Sequence, residues 1–147
     1  LLKRGASKVI AVDVGYGQLA WELRQNPRVE IYDRTNVRTL SPEIIKDSVD
    51  LVVAHLSFIS LTLVIPALTS VSKPEADFLI MVKPQFEVGK TNLGKGGIVK
   101  NKQLYPEVIE KIKQTGKVNH MLYQVHVDSP ILGGDGNQEF LMHLIRS

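Results

Sequence analysis

The chain has 147 residues, 44% of them hydrophobic and 22% charged, with a formal net charge of +3. That profile suits one globular domain with a real core and excludes disordered and fibrous classes. Cysteine is absent, which excludes disulfides and thiolate metal sites and fits a reducing compartment, the cytoplasm.

The chain opens on Leu1-Leu2-Lys3-Arg4-Gly5, which reads as the last turn of a helix with basic residues and a glycine cap. A helix end needs a helix, and an α/β unit needs a strand before it. The expectation is therefore that a first strand, its glycine-rich turn and most of a first helix lie upstream. Val9 to Val12 is a short apolar run ending at Asp13, and Gln18 to Arg24 reads as a short helix. Val29 to Tyr32 is a second strand ending at Asp33. Leu51 to Ala54 is a third, ending at His55. A helix is expected from Ser60 to Val71 with Ser60 as N-cap, Pro66 either kinking it or marking its true start.

Leu51 to Ser72 contains no Asp, Glu, Lys or Arg over 22 residues, a length that could span a membrane. His55, Ser57, Ser60, Thr62 and Pro66 interrupt it, so it reads as strand, loop and helix instead. Phe78 to Val82 is the fourth strand, ending at Lys83-Pro84. A loop runs to about Asn101. A helix then puts Leu104, Val108, Ile109 and Ile112 on one face and is expected to stop at Gly116. His120 to Val127 and Glu139 to Ile145 are the last two strands. They have no helix between them and should form an antiparallel edge pair. Strands alternating with helices indicate a mostly parallel α/β sheet covered on both faces.

In such a sheet the strand ends open on one edge, where ligands bind. Asp13, Asp33, His55 and Lys83 stand at those ends. Taken singly, each is better explained as the place where polar sequence begins; as a set they suggest a site. Asp13 could accept hydrogen bonds from ribose hydroxyls, of a dinucleotide as readily as of another nucleoside. Asn36 could meet a base edge or be a turn residue. Glu139 follows a glycine-rich stretch, Gly133-Gly134-Asp135-Gly136, and is either a site acid or a surface acid on an edge strand. Between Lys83 and Lys102 lie five lysines and one acid, Glu87. This loop holds the whole positive excess and is either a solvated face or a phosphate-facing one. His120, His126 and His143 lack ligand-like spacing, so no metal site is read. Tyr16 and Trp21 are expected to pack in the interior.

Five short motifs occur in order: Asp13-Val14-Gly15-Tyr16-Gly17-Gln18-Leu19, Arg34-Thr35-Asn36, Leu56-Ser57-Phe58-Ile59-Ser60-Leu61, Val82-Lys83-Pro84-Gln85-Phe86-Glu87 and Gly136-Asn137-Gln138-Glu139-Phe140. Together they resemble the hemolysin A (TlyA) family of FtsJ-like ribosomal RNA 2′-O-methyltransferases, over nearly the whole chain. The resemblance implies a Rossmann-like sheet binding S-adenosylmethionine, an N-terminal S4 RNA-binding domain upstream, and ribosomal RNA or a ribosomal subunit as partner. It places Asp13 and Val14 at the cofactor ribose, and Thr35 and Asn36 near the adenine.

The family's lysine–aspartate–lysine–glutamate tetrad has its second lysine at Lys83 and its glutamate at Glu139. Its aspartate position holds His55, in Ala54-His55-Leu56-Ser57, a departure that makes a non-catalytic cofactor- or RNA-binding relative the alternative reading. Lys90, Lys95 and Lys100 would meet RNA phosphates. Lys83, partly buried and near a sulfonium, would lose its proton more readily than a free lysine and act as the base for a ribose hydroxyl. An NAD-dependent enzyme and, by family name, a membrane-lytic protein are the remaining readings.

Overall fold

The computed structural model describes residues 1–134 and 136–147. The chain divides into two compact units, Leu1–Leu40 and Ser41–Ser147.

The first unit holds strand β1 (Val9–Val12), helix α1 (Trp21–Arg24) and strand β2 (Val29–Tyr32). β1 and β2 are parallel, Val9 opposite Val29 and Val12 opposite Tyr32. Leu2–Arg4 is a 3₁₀ turn closed by Gly5 at φ 98°, the left-handed cap that the Lys-Arg-Gly pattern announces. α1 is shorter than expected, because Gln18 to Ala20 stay extended or bent ahead of it. Tyr16 and Trp21 do not pack inside. They are 65% and 71% exposed, and Tyr16 instead lies under the guanidinium of Arg34, 4.7 Å from its ring centre.

The second unit is a four-stranded sheet in the order β3-β4-β6-β5, from β3 (Val49–Ala54), β4 (Ser72–Val82), β5 (Met121–Asp128) and β6 (Phe140–Arg146). β3 and β4 are parallel; β6 is antiparallel to both β4 and β5. The β5–β6 hairpin is antiparallel as expected, but it folds back so that β6 lies inside the sheet and, of the two, β5 alone is an edge strand.

Two helices cover this sheet. Helix α2 (Ile65–Ser70) carries Pro66 in its first turn, so the proline marks the helix start rather than a kink. Ser60 caps only a preceding 3₁₀ turn, Leu61–Leu63, through its hydroxyl and the Thr62 N–H. Helix α3 (Tyr105–Val118) buries Val108, Ile109, Ile112 and Gly116. It runs past Gly116, a buried position inside the helix where a Cβ would meet Leu144 at 3.5 Å and Met121 at 3.6 Å, ordinary contact distances. The helix ends at Asn119 and at His120, whose φ is +59°.

Alternation is regular at the end of β3, over the second half of β4 and through most of β6. Val52 and Ala54, then Phe78, Ile80 and Val82, then Phe140, Met142 and Leu144 all point to the helix side and are buried. The opposite face leaves Val53, Leu79, Val125 and Val127 between 44% and 56% exposed. Helices on both faces are therefore not found within this unit. β3-α2-β4 and β4-α3-β5 both step across the sheet in the same direction. Two right-handed crossovers in one direction put both helices on one face. No helix among the described residues is long and apolar enough to cross a membrane.

Candidate active site

In the first unit, parallel pairing brings Asp13 and the turn after Tyr32 to one end of the strands. The Asp13 N–H donates to Tyr32 O at 3.1 Å, and the Thr35 N–H returns to Asp13 O at 2.9 Å. The Asp13 carboxylate is exposed, and its Oδ1 accepts the Gly15 N–H at 2.7 Å. Its second oxygen has no hydrogen-bond partner among the described residues. Asn36 spends its Oδ1 on the Arg38 N–H at 3.0 Å, so it is a turn residue whose amide N–H₂ is left over. Val14 is 74% exposed, and the Thr35 hydroxyl donates to Asp33 O at 3.0 Å.

Asp33, the other strand-end acid, is already engaged. It accepts from Arg24 Nη2 at 2.8 Å and from the Gly17 N–H at 3.4 Å. The Arg24 hydrogen bond, reinforced by Gly17 and by the charges of Arg24 and Arg34, holds its carboxyl below the ordinary value. The same hydrogen bond raises Arg24 above its own. An acid already committed in this way offers little to a ligand, whereas Asp13 has a free oxygen for paired hydroxyl donors.

In the second unit, antiparallel register sets Val82 opposite Phe140. The next residue out on one strand and the preceding one on the other are Lys83 and Glu139. Both are buried, at 8% and 6% exposure. Lys83 Nζ donates to Ser57 Oγ at 2.9 Å and stands 4.0 Å from Glu139 Oε1. Glu139 is thus an interior acid and not a surface acid of an edge strand. The same Oε1 accepts from Gln85 Nε2 at 2.9 Å. Gly133 closes against this carboxylate: a Cβ on it would fall 2.3 Å from Oε1. His55, at the end of β3, is exposed, and no hydrogen bond reaches its ring among the described residues. The structure therefore joins Lys83 to Glu139 and leaves His55 outside their hydrogen bonding.

Ser57, Gln85 and Gly133 escape sequence reasoning. Ser57 and Gln85 lie inside quoted motifs, but only the sheet register shows which charged group each touches. One buried polar atom here is unusual. Gln85 Oε1 has no hydrogen-bond partner among the described residues, and an unmatched buried acceptor costs about 1–3 kcal/mol.

The basic segment separates into a buried end and an exposed one. Glu87, its only acid, is buried. It accepts from Ser60 Oγ and the Leu61 N–H, both at 2.7 Å, and from Lys111 Nζ at 3.1 Å. Lys90, Lys95 and Lys100 are exposed. Their loop turns through Gly96 and Gly97 at φ 72° and 75°, a conformation that favours glycine. Asn137, 3% exposed, pins it by accepting the Val99 N–H and donating to Gly97 O. A cavity of about 500 Å³ between α3 and the hairpin is lined by Lys102, Tyr105, Ile109, His126 and Phe140. It contains neither Lys83 nor Glu139. His126 bonds Tyr123, and His143 pairs with Asp77.

The fold, an α/β chain with parallel strand pairs and an antiparallel β4–β6–β5 portion, is that of Rossmann-like methyltransferases. The chain belongs to the FtsJ-like methyltransferase family, whose pattern it matches over residues 1–146. It is 49% identical over 145 residues to the 16S/23S rRNA (cytidine-2′-O)-methyltransferase TlyA of Mycobacterium tuberculosis, covering 98% of this chain and 54% of that protein. It is 35% identical over 152 residues to hemolysin A of Brachyspira hyodysenteriae, covering 99% of this chain and 61% of the relative. A solved chain named "putative hemolysin", from Streptococcus thermophilus, superposes with a TM-score of 0.94 at 37% identity, over 99% of this chain and 53% of that one. The chain thus spans about half the length of the curated relatives it matches.

Proposed function

We propose that this chain carries the catalytic groups of an S-adenosylmethionine-dependent methyltransferase that modifies a ribose 2′-OH of ribosomal RNA. The single observation that supports it best is the buried Lys83 amine at the rim of the sheet, 2.9 Å from Ser57 and 4.0 Å from Glu139. A ribose hydroxyl is a weak nucleophile at neutral pH, and a base within hydrogen-bond reach is what it needs. Lys83 holds the hydroxyl and takes its proton at Nζ. Glu139 balances the ammonium that results, and Ser57 keeps the amine from swinging away.

S-adenosylmethionine supplies an electrophilic methyl group. The fit of this chain to it rests on the exposed Asp13 carboxylate, whose unpartnered oxygen suits the hydroxyls of a ribose, and on the spare Asn36 amide of the same unit. Val14 and Thr35 stand beside them, in the turns that follow β1 and β2. Lys90, Lys95 and Lys100 take RNA phosphates, in cytoplasmic ribosomal RNA or a ribosomal subunit. A second reading is favoured by His55. It stands where the family carries an aspartate, so only one carboxylate is close to Lys83, and the chain would then bind cofactor or RNA without turnover.

The deciding experiment incubates the protein with tritiated S-adenosylmethionine and ribosomal subunits lacking the modification. Label in an alkali-resistant dinucleotide, the mark of a blocked 2′-OH, supports transfer. Cofactor binding by calorimetry with no such label favours the second reading.

A further inference from the structure

Resting on the methyltransferase reading, we infer that Gln85 and Gly133 form a clamp that positions the Glu139 carboxylate against Lys83. Glu139 Oε1 is the oxygen nearest Lys83, and it is also the one that takes the Gln85 hydrogen bond. The donor therefore fixes which oxygen faces the amine and holds it at 4.0 Å, a distance at which a ribose hydroxyl can still reach the lysine. Free of Gln85, a carboxylate beside a buried ammonium would close to a direct ion pair and occupy the lysine itself.

The orientation of the Gln85 amide supports this role. Its Oε1 is buried without a partner, so the hydrogen bond to Glu139 is what holds the group among the described residues. Turned over, the amide would press its oxygen against a carboxylate, and the observed direction is the one the acid requires. Gly133 packs against the same oxygen. Its φ of −66° and ψ of 175° suit any residue, so backbone freedom does not explain a glycine there. The space does: a Cβ would lie 2.3 Å from Oε1 and 2.7 Å from Cδ of Glu139. Gly133 N also donates to Asn137 O at 2.8 Å, and Ser129 N to Glu139 O at 2.9 Å. The glycine-rich turn is thereby fastened to the strand that carries the acid. Both residues act through Glu139 and are positioning residues.

The test compares Gln85→Met, which keeps the length without the donor, Gln85→Glu, which adds a second carboxylate, and Gly133→Ala with the unmutated protein. Each is assayed for tritium transfer from S-adenosylmethionine to unmodified ribosomal subunits, with kcat and both KM values, and for melting temperature. A misplacement of about 1 Å can lower rate ~10²-fold. The expected result is a kcat reduced roughly 10- to 100-fold in all three, with KM and melting temperature near those of the unmutated protein. Gln85→Glu should be no better than Gln85→Met. A kcat within about twofold of the unmutated protein in Gln85→Met or in Gly133→Ala, or a loss confined to KM, overturns the clamp. Absence of transfer by the unmutated protein overturns the methyltransferase reading and the clamp with it, so the two failures are told apart by the control. Should one variant melt early, the other two decide.

Discussion

Lys83 and Glu139 face each other across two antiparallel strands, 56 positions apart in sequence, because Val82 is in register with Phe140. The amine and the carboxylate are both withdrawn from water and 4.0 Å apart. Two oppositely charged groups buried together at the end of otherwise apolar strands are costly to keep unless they are used or fully paired.

Lys83→Met should lower methyl transfer by about 10²–10⁴-fold, the range that a general base contributes. S-adenosylmethionine binding, measured by calorimetry, should be unchanged, because Asp13, Asn36 and their turn are untouched. Equal transfer rates for the variant and the unmutated chain would remove Lys83 from the chemistry.

His55→Asp restores the acid that the family resemblance places at the end of β3. The site is exposed, so the change should leave thermal stability within about 0.5 kcal/mol. Transfer should rise several-fold if a second carboxylate supports Lys83. A single-turnover assay on the two proteins measures this directly, and an unchanged or lower rate would show that His55 suffices.

Substituting Lys90, Lys95 and Lys100 together by Ala should weaken RNA binding mostly at low salt. Removing one phosphate-binding lysine flattens the log–log salt dependence by about 0.7–0.9. Filter binding over a salt series would read a slope smaller by about two. An unaltered slope would return the loop to an ordinary solvated face.

Glu87→Ala strips three donors of one buried acceptor. The Leu61 N–H and the Ser60 hydroxyl lose 2.7 Å partners, and Lys111 loses its carboxylate. Urea unfolding should show a loss of about 2–4 kcal/mol, since charge-assisted bonds contribute about 1.5–3 kcal/mol each and are not additive. Glu87→Gln should lose less.

Asp33 provides a pH test. Its carboxyl lies below the ordinary 3.8, chiefly through the Arg24 hydrogen bond. A lowered folded-state pKa means that the stabilisation is complete above the ordinary value and fades as pH falls through the lower one. Asp33→Asn should therefore unfold at lower urea than the unmutated chain near neutral pH. The gap should close in strongly acidic buffer, below 3.8. A gap independent of pH would mean that the ion pair contributes nothing.

Much of the architecture was legible one segment at a time. Four apolar runs ending in polar residues located β1, β2, β3 and the end of β4, and Lys-Arg-Gly marked its turn. The beginning of β4 was hidden. Ser72-Lys73-Pro74-Glu75 is polar, contains a proline, and holds Glu75 at φ +63°, so no apolar pattern flags it as strand. Tyr16 and Trp21 stay exposed although their residue type favours packing, because more than half of a folded protein's surface is apolar. Gly116 resembles a cap because it stands near the helix end, while in the fold it is a buried helical position facing Leu144 and Met121.

Taken alone, the sequence determined what depends on neighbours along the chain: strand and helix alternation, the charge of the 83–102 segment, and the motifs that carry the family resemblance. Only the tertiary structure decided what depends on register and crossover direction. It moved β6 inside the sheet and made Glu139 an interior acid. It turned Glu87 inward while Lys90, Lys95 and Lys100 stayed outside, and it brought Ser57, Gln85 and Gly133 to the two charged groups. Those partners are separated by up to 54 positions, and hydrogen-bond reach is a property of space that no local pattern encodes.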